Sequence, residues 1–184
     1  MRPIAHFKTI TKHKLLVMRY CFSVGLYKQG ILHDLSKYSP TEFWIGAKYY
    51  QGNQSPNNAE RLAKGCSTAW LHHKGRNKHH FEYWLDYSLD RSKVIEGMKM
   101  PICYVVEMFL DRVAAGQIYN GKNFSIKNPW EYYERGRTKT LLHPKSRELL
   151  EHLLRMYAEN GQDYTFSYIK TEILTDKNWN NYNN

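Results

Sequence analysis

Gly30-Ile31-Leu32-His33-Asp34-Leu35-Ser36-Lys37 sets an imidazole beside a carboxylate between apolar runs, with a lysine three residues after the carboxylate. The stretch reads as a short second helix that stops before Ser39-Pro40. On a helix His33 and Lys37 (i, i+4) and Asp34 and Lys37 (i, i+3) share one face. Histidine and aspartate are ordinary ligands of first-row divalent ions. Lys37 would then hold a positive charge beside such an ion, where a phosphate oxygen could bind. The plainer reading is a surface His-Asp pair at a helix start, with the carboxylate favouring the positive end of the helix dipole. The rest of the chain decides between them.

Upstream, residues 7–29 read as one helix whose stripe is His13, Leu16, Val17, Tyr20, Val24 and Tyr27. Gly25 is a mild cost inside it and Gly30 its cap. His13 lies on the stripe that faces the core, and His6 lies one heptad earlier on the same stripe. Downstream, Pro40 or Thr41 starts a third helix with Glu42, Phe43 and Trp44 in its first turns. Residues 52–58 are a polar loop. A helix is expected over 56–73, stopped at Gly75, and Asn77 caps another that begins at Lys78. Residues 94–100 are also expected to be helical. Pro101 is well placed to open a helix running to about Ala115 and ending at Gly116. Ile102, Val105, Val106, Met108, Phe109, Leu110 and Val113 make it apolar nearly all round, so it should be the most buried.

Helices are expected over 129–135, over 143–160 with Leu149, Leu150, Leu153 and Leu154, and over 164–174. The Asn-rich tail after Asp176 reads as frayed. There is no convincing alternation of period two, no internal repeat and no linker. The expected fold is all-α: a metal-binding helical core over residues 1–120 and a helical extension over 121–184 packed on the same domain.

Four histidines, His72, His73, His79 and His80, crowd one helix-turn-helix around Lys74-Gly75-Arg76-Asn77-Lys78. Imidazoles from two adjacent elements can converge on a metal, whereas a polar turn whose histidines only hydrogen-bond is the bland alternative. Asp111 lies in the most apolar helix. A carboxylate there is expensive unless it binds a metal or pairs with Arg19 or Arg112. His13 follows the same logic.

The order is now His13, then His33-Asp34 with Lys37, then His73 and His79-His80, then Asp111. This order resembles that of the HD-domain superfamily of metal-dependent phosphohydrolases, over about residues 6–116. His33-Asp34-Leu35-Ser36-Lys37 is similar to the His-Asp-x-x-Lys form of several branches, including the HD-GYP phosphodiesterases. No Gly-Tyr-Pro follows His79-His80; Phe81-Glu82-Tyr83-Trp84 stands there, so a cyclic-dinucleotide substrate is not implied. The pattern His-Asp-Leu-Ser-Lys followed by Trp-x-His-His-x-x-x-Asn-x-His-His also resembles a group of uncharacterised bacterial and phage HD-like proteins. The resemblance implies a first metal on His13, His33, Asp34 and Asp111. It implies a second on Asp34 as a bridge with His73 and one of His79 or His80. His6 competes with His13, and which member of each HH pair ligates stays open. One or two divalent ions are implied, with Mn, Fe, Mg, Ni, Co or Zn all compatible.

At 184 residues, 42% hydrophobic and 24% charged, the chain suits one globular domain. It has no apolar run long enough to cross a bilayer and no signal-peptide core near Met1. Cys21, Cys66 and Cys103 are sparse and unpaired in spacing, which suits reduced thiols and a cytoplasmic protein. A formal charge of +10 favours an anionic partner: a phosphorylated small molecule, a nucleotide or nucleic acid. A homodimer through the leucine-rich helix is also open.

The expected function is metal-dependent phosphoester hydrolysis, with Asp34 bridging metals or accepting the proton of water. Lys37 would stabilise phosphoryl charge, and Arg19, Arg76 and Lys78 would contact phosphate. Trp70, Tyr83 and Trp84 are candidates to stack a base. Two other classes stay open: a non-catalytic nucleic-acid-binding or interaction protein, and a di-iron oxidoreductase.

Overall fold

A computed structural model describes residues 1–175 and Tyr182. Among the described residues the chain is all-α but for one short hairpin. In order, its helices are α1 (Pro3–Val24), α2 (Tyr27–Leu32), α3 (Pro40–Tyr49), α4 (Pro56–Lys64) and α5 (Thr68–Lys74). The strands β1 (Leu85–Tyr87) and β2 (Ile95–Gly97) follow, then α6 (Ile102–Asn120), α7 (Asn128–Gly136) and α8 (Pro144–Tyr168). Among the described residues, no helix is long and apolar enough to cross a membrane.

α6 is the axis. Val105, Val106, Met108, Phe109, Leu110, Val113 and Ala114 are all buried. They meet Val17, Tyr20, Cys21 and Val24 of α1 on one side and Leu149, Leu150, Leu153 and Leu154 of α8 on the other, in one continuous core. Burying a Leu or Val side chain is worth about 1.5–3 kcal/mol, so this three-helix contact is a large source of stability. The C-terminal helices belong to the same core as α1 and α6.

Several boundaries differ from the sequence expectation. The first helix ends at Gly25, not Gly30. Gly25 takes φ 93° and its N–H reaches Cys21 and Phe22 carbonyls, a left-handed cap that glycine adopts cheaply. Gly30 lies inside α2, where an added Cβ would come within 3.0 Å of Cys21 and Phe22. The expected helix over 56–73 is two helices. Gly65, at φ 78°, closes α4, and Ser67 caps α5 by accepting from the Trp70 N–H.

The expected helices after Asn77 and over 94–100 are absent. Residues 81–84 form a 3₁₀ turn, and the antiparallel β1–β2 hairpin follows, pairing Leu85 with Gly97 and Tyr87 with Ile95. α6 runs past Gly116 to Asn120. The last two expected helices are both present within α8 and the turn after it: the backbone leaves helical geometry at Gly161 (φ 77°, ψ −171°), which separates them, and the second passes into a π-helical turn over Ile169–Ile173. The expectation of a frayed tail after Asp176 lies outside the described residues, apart from Tyr182, which is buried.

Candidate metal centre

His33 and Asp34 do not sit inside a helix. His33 closes α2, and Asp34 follows at φ 55°, ψ 20°. It is the one residue other than glycine at positive φ among the described residues. Aspartate tolerates this left-handed state better than most residues. A 3₁₀ turn over Leu35–Tyr38 follows directly. Side chains three apart eclipse in a 3₁₀ turn, and Lys37 Nζ accordingly stands 2.5 Å from Asp34 Oδ2. The (i, i+3) pairing expected of a helix therefore survives, while the (i, i+4) His33–Lys37 face does not.

The break aims Asp34 into the middle of the molecule, where it is 2% exposed. Its two oxygens face different neighbours. Oδ2 lies 3.3 Å from His33 Nε2 and 3.7 Å from His13 Nε2. Oδ1 lies 3.2 Å from His73 Nε2 and 3.5 Å from His79 Nε2. Asp111 Oδ1 completes the first side, 2.8 Å from His13 Nε2 and 3.7 Å from His33 Nε2. His80 completes the second, with its Nε2 2.9 Å from that of His73. Two four-residue groups result, His13–His33–Asp34–Asp111 and Asp34–His73–His79–His80, each with its ligand atoms within 4.8 Å of one another. Asp111 pairs with His13 rather than with an arginine.

Two carboxylates outside these groups hold the rings. Glu107 Oε1 takes the Nδ1 protons of His33 at 2.9 Å and His79 at 3.1 Å. Glu42 Oε2 takes the Nδ1 proton of His73 at 2.8 Å, and its Oε1 that of His72 at 2.6 Å. His72 thus lies on the far side of Glu42 from Asp34. Asn77 donates to the His73 carbonyl and to Ser36, tying the turn to the His-Asp segment.

A cation suits this arrangement. With Nδ1 protonated toward Glu107, the Nε2 lone pairs of His33 and His79 face a carboxylate, so negative poles converge. His33 Nε2, His79 Nε2 and both Asp34 oxygens are buried without an aligned hydrogen bond, whereas buried polar atoms are nearly always satisfied. Burial lowers the His33 pKa, but Asp34, Asp111 and Glu107 outweigh it and raise it well above the ordinary value. His73 is raised by Asp34 and Glu42 against the same burial. Burial pushes Asp34 and Asp111 up, yet the imidazoles, with Lys37 beside Asp34, hold both well below the usual carboxylate range. For His13 and His80 burial prevails and favours the neutral ring.

The centre opens on a cavity of about 850 Å³ whose walls include His6, Lys37, Tyr50, Trp70, Arg112 and Tyr119. His6 belongs to neither four-residue group. Its ring sits between Phe43 and Tyr50, and a Cβ on Gly46 would fall 2.3 Å from its Nε2. Burial, then the charge of Lys37, lowers its pKa to about 4.

Arg19, Arg76 and Lys78, expected to contact phosphate, do not line the cavity. Arg19 is six residues beyond His13, about 240° round the helix. Arg76 bonds the His72 carbonyl, and Lys78 lies over the Tyr83 and Tyr104 rings on the outer side of the turn. The cations that line it are Lys37, Arg61, Arg112 and Arg135. Trp70 and Phe81 reach the cavity; Tyr83 and Trp84 do not.

Sequence reasoning missed Glu42 and Glu107. Glu107 is four residues before Asp111 on the most apolar helix, so one helical turn put both carboxylates on one buried face. Glu42 was hidden by Ser39-Pro40-Thr41-Glu42, which has the form of a helix-start capping box. Ser39 does accept from the Glu42 N–H, at 3.4 Å, but the carboxylate goes to histidines.

Residues 2–156 match a family described as "Family of unknown function (DUF5662)". No curated protein and no solved structure matches the chain.

Proposed function

We propose that this chain, which belongs to the DUF5662 family, is a metal-dependent phosphohydrolase acting on a phosphomonoester or phosphodiester, with nucleotides among its candidate substrates. The observation that carries the reading is the division of Asp34, one oxygen toward each four-residue group. His13, His33, Asp34 and Asp111 would hold one divalent ion. Asp34, His73, His79 and His80 would hold a second. The resemblance to the HD superfamily, whose ligand order this is, supports the same assignment. When bound, such ions supply Lewis-acid polarisation of a phosphoryl group and a water nucleophile near neutral pH.

The chain's own residues supply the rest. Lys37 keeps its ammonium on the cavity wall beside Asp34, with donors left for phosphoryl oxygens. Glu107 and Glu42 fix which ring nitrogen of His33, His79 and His73 faces inward. The formal charge of +10 draws an anion toward the protein. A neutral His6 can accept a hydrogen bond from a substrate hydroxyl.

A second reading keeps the same ligands: a nitrogen-rich set with a shared carboxylate also suits di-iron redox chemistry. Elemental analysis of protein purified without added metal separates the two, followed by a panel of phosphomonoesters and phosphodiesters. Asp34→Ala is expected to lose bound metal and hydrolysis together. A variant that hydrolyses at the wild-type rate would overturn the assignment, and stoichiometric iron with an iron-specific optical signature and no hydrolysis would favour oxidation.

A further inference from the structure

Arg112 follows Asp111 in α6 but serves a different place. One residue turns about 100° round a helix. Asp111 faces His13, whereas the Arg112 guanidinium lies against Tyr133 of α7, 5.6 Å from the ring centroid. Its Nε is buried with no hydrogen-bond partner. Leaving a charged donor unsatisfied in a buried position costs free energy, and nothing in the fold requires it here.

Three arginines near α8 find acceptors. Among the described residues Arg137 and Arg155 form ion pairs with Glu151, and Arg147 donates to the Arg137 and Thr140 carbonyls. The arginines of the cavity have no such acid. Arg61 meets the Asn58 amide oxygen, Arg135 rests over Tyr132, and neither they nor Arg112 form an ion pair among the described residues. The acids of the same cavity are committed elsewhere. Glu42 holds His72 and His73, Asp111 holds His13, and Glu131 takes the Asn128 amide. Burial pushes Glu82 toward its neutral form, with the charge of Arg112 among those opposing it, and the two form no ion pair.

We propose that Arg112, assisted by Arg135, forms a second anion subsite in this cavity, so that the ligand is a small molecule with two separate anionic groups. Resting on the phosphohydrolase reading, one phosphoryl group lies at Lys37, on the cavity wall beside Asp34, and the other anion at Arg112. A guanidinium fork matches phosphate or carboxylate oxygens and would satisfy the orphaned Nε. A volume of about 850 Å³ is in the range of small-molecule sites and leaves no room for a duplex.

Isothermal titration calorimetry of the purified full chain tests this, with inorganic phosphate compared with alkane-α,ω-bisphosphonates of increasing length. The best bisphosphonate is expected to bind at least about tenfold tighter than phosphate. Arg112→Gln is expected to abolish that advantage while leaving phosphate affinity within about twofold. Arg135 is exposed, so Arg135→Gln removes charge without touching the core; it should lower the advantage by about threefold even if the Arg112 variant fails to fold.

The proposal is overturned if no bisphosphonate exceeds phosphate or if Arg112→Gln keeps the advantage. It also fails if a single-stranded oligonucleotide binds tighter than every bisphosphonate, which would make the ligand a polymer. Binding needs no turnover. A protein that hydrolyses nothing can still show the subsite, and an active hydrolase can still lack it.

Discussion

At the scale of residues, Asp34 is held in a backbone state that costs a non-glycine residue about 1–3 kcal/mol. The strain turns its carboxylate inward, so that each oxygen meets a different set of imidazoles. Glu107 works from the other side, with one oxygen on the Nδ1 of both His33 and His79. Losing an outer carboxylate of this kind typically weakens metal affinity by about 10–100-fold. Glu107→Gln keeps the shape and an acceptor oxygen but drops the charge. We expect metal to dissociate about tenfold more readily from this variant in a competitive chelator titration, with the far-UV spectrum unchanged. Unaltered affinity would show that Glu107 only fills space.

The converging side chains were legible in the sequence because their chemistry is in the residue types: a histidine on a core stripe and an aspartate on an apolar helix each need a partner. Glu42 was not, because a glutamate at the third position of a helix has an adequate local explanation. The three cavity arginines were not, because Arg61, Arg112 and Arg135 lie far apart in the chain and share only a wall.

At the scale of elements, the β1–β2 hairpin is where reading by pattern broke down. Each strand is three residues long, too short for alternation to register, and the segment's histidines and aromatics imitate a helix start. What anchors the hairpin is long-range. A Cβ on Gly97 would fall 1.9 Å from the Leu141 carbonyl oxygen and 2.9 Å from the His143 nitrogen, both backbone atoms that cannot swing away. Gly97→Ala is expected to cost about 2–4 kcal/mol, read as a lower urea midpoint. An unchanged midpoint would mean that the hairpin does not press on residues 141–143.

α7 and α8 are joined by a buried acid. Burial pushes the Glu151 carboxyl up, but hydrogen bonds from Arg137 and Tyr133 outweigh it and hold it below the ordinary value. A depressed folded-state pKa contributes stability that is present above the unfolded pKa of about 4.3 and lost as pH falls through the folded value. Glu151→Gln should therefore lower the urea midpoint at pH 7, and the gap from wild type should close by about pH 3. A gap that persists in acid would assign the loss to geometry rather than charge.

At the scale of the whole molecule, the proposed ligands are drawn from α1, the α2 terminus, α5, the turn after it and α6. A cation bound there would tie residue 13 to residue 111, a closure that the unfolded chain cannot make in advance. The core of α1, α6 and α8 does not depend on that closure, since its apolar side chains meet on the other faces of the same helices. The apoprotein should therefore stay folded and lose only the linkage energy. That energy is about 2.7 kcal/mol when free metal stands at a hundredfold excess over its Kd. For a chain of this size each kcal/mol moves Tm by about 2–4 °C, so chelation should lower Tm by about 5–10 °C in a calorimetric scan. Asp34→Ala, which removes the carboxylate that both groups share, should already sit at the lower Tm and not respond to chelator. A wild-type transition that ignores both chelation and added metal would mean that these imidazoles and carboxylates satisfy one another with protons alone, and the phosphohydrolase reading would lose its basis.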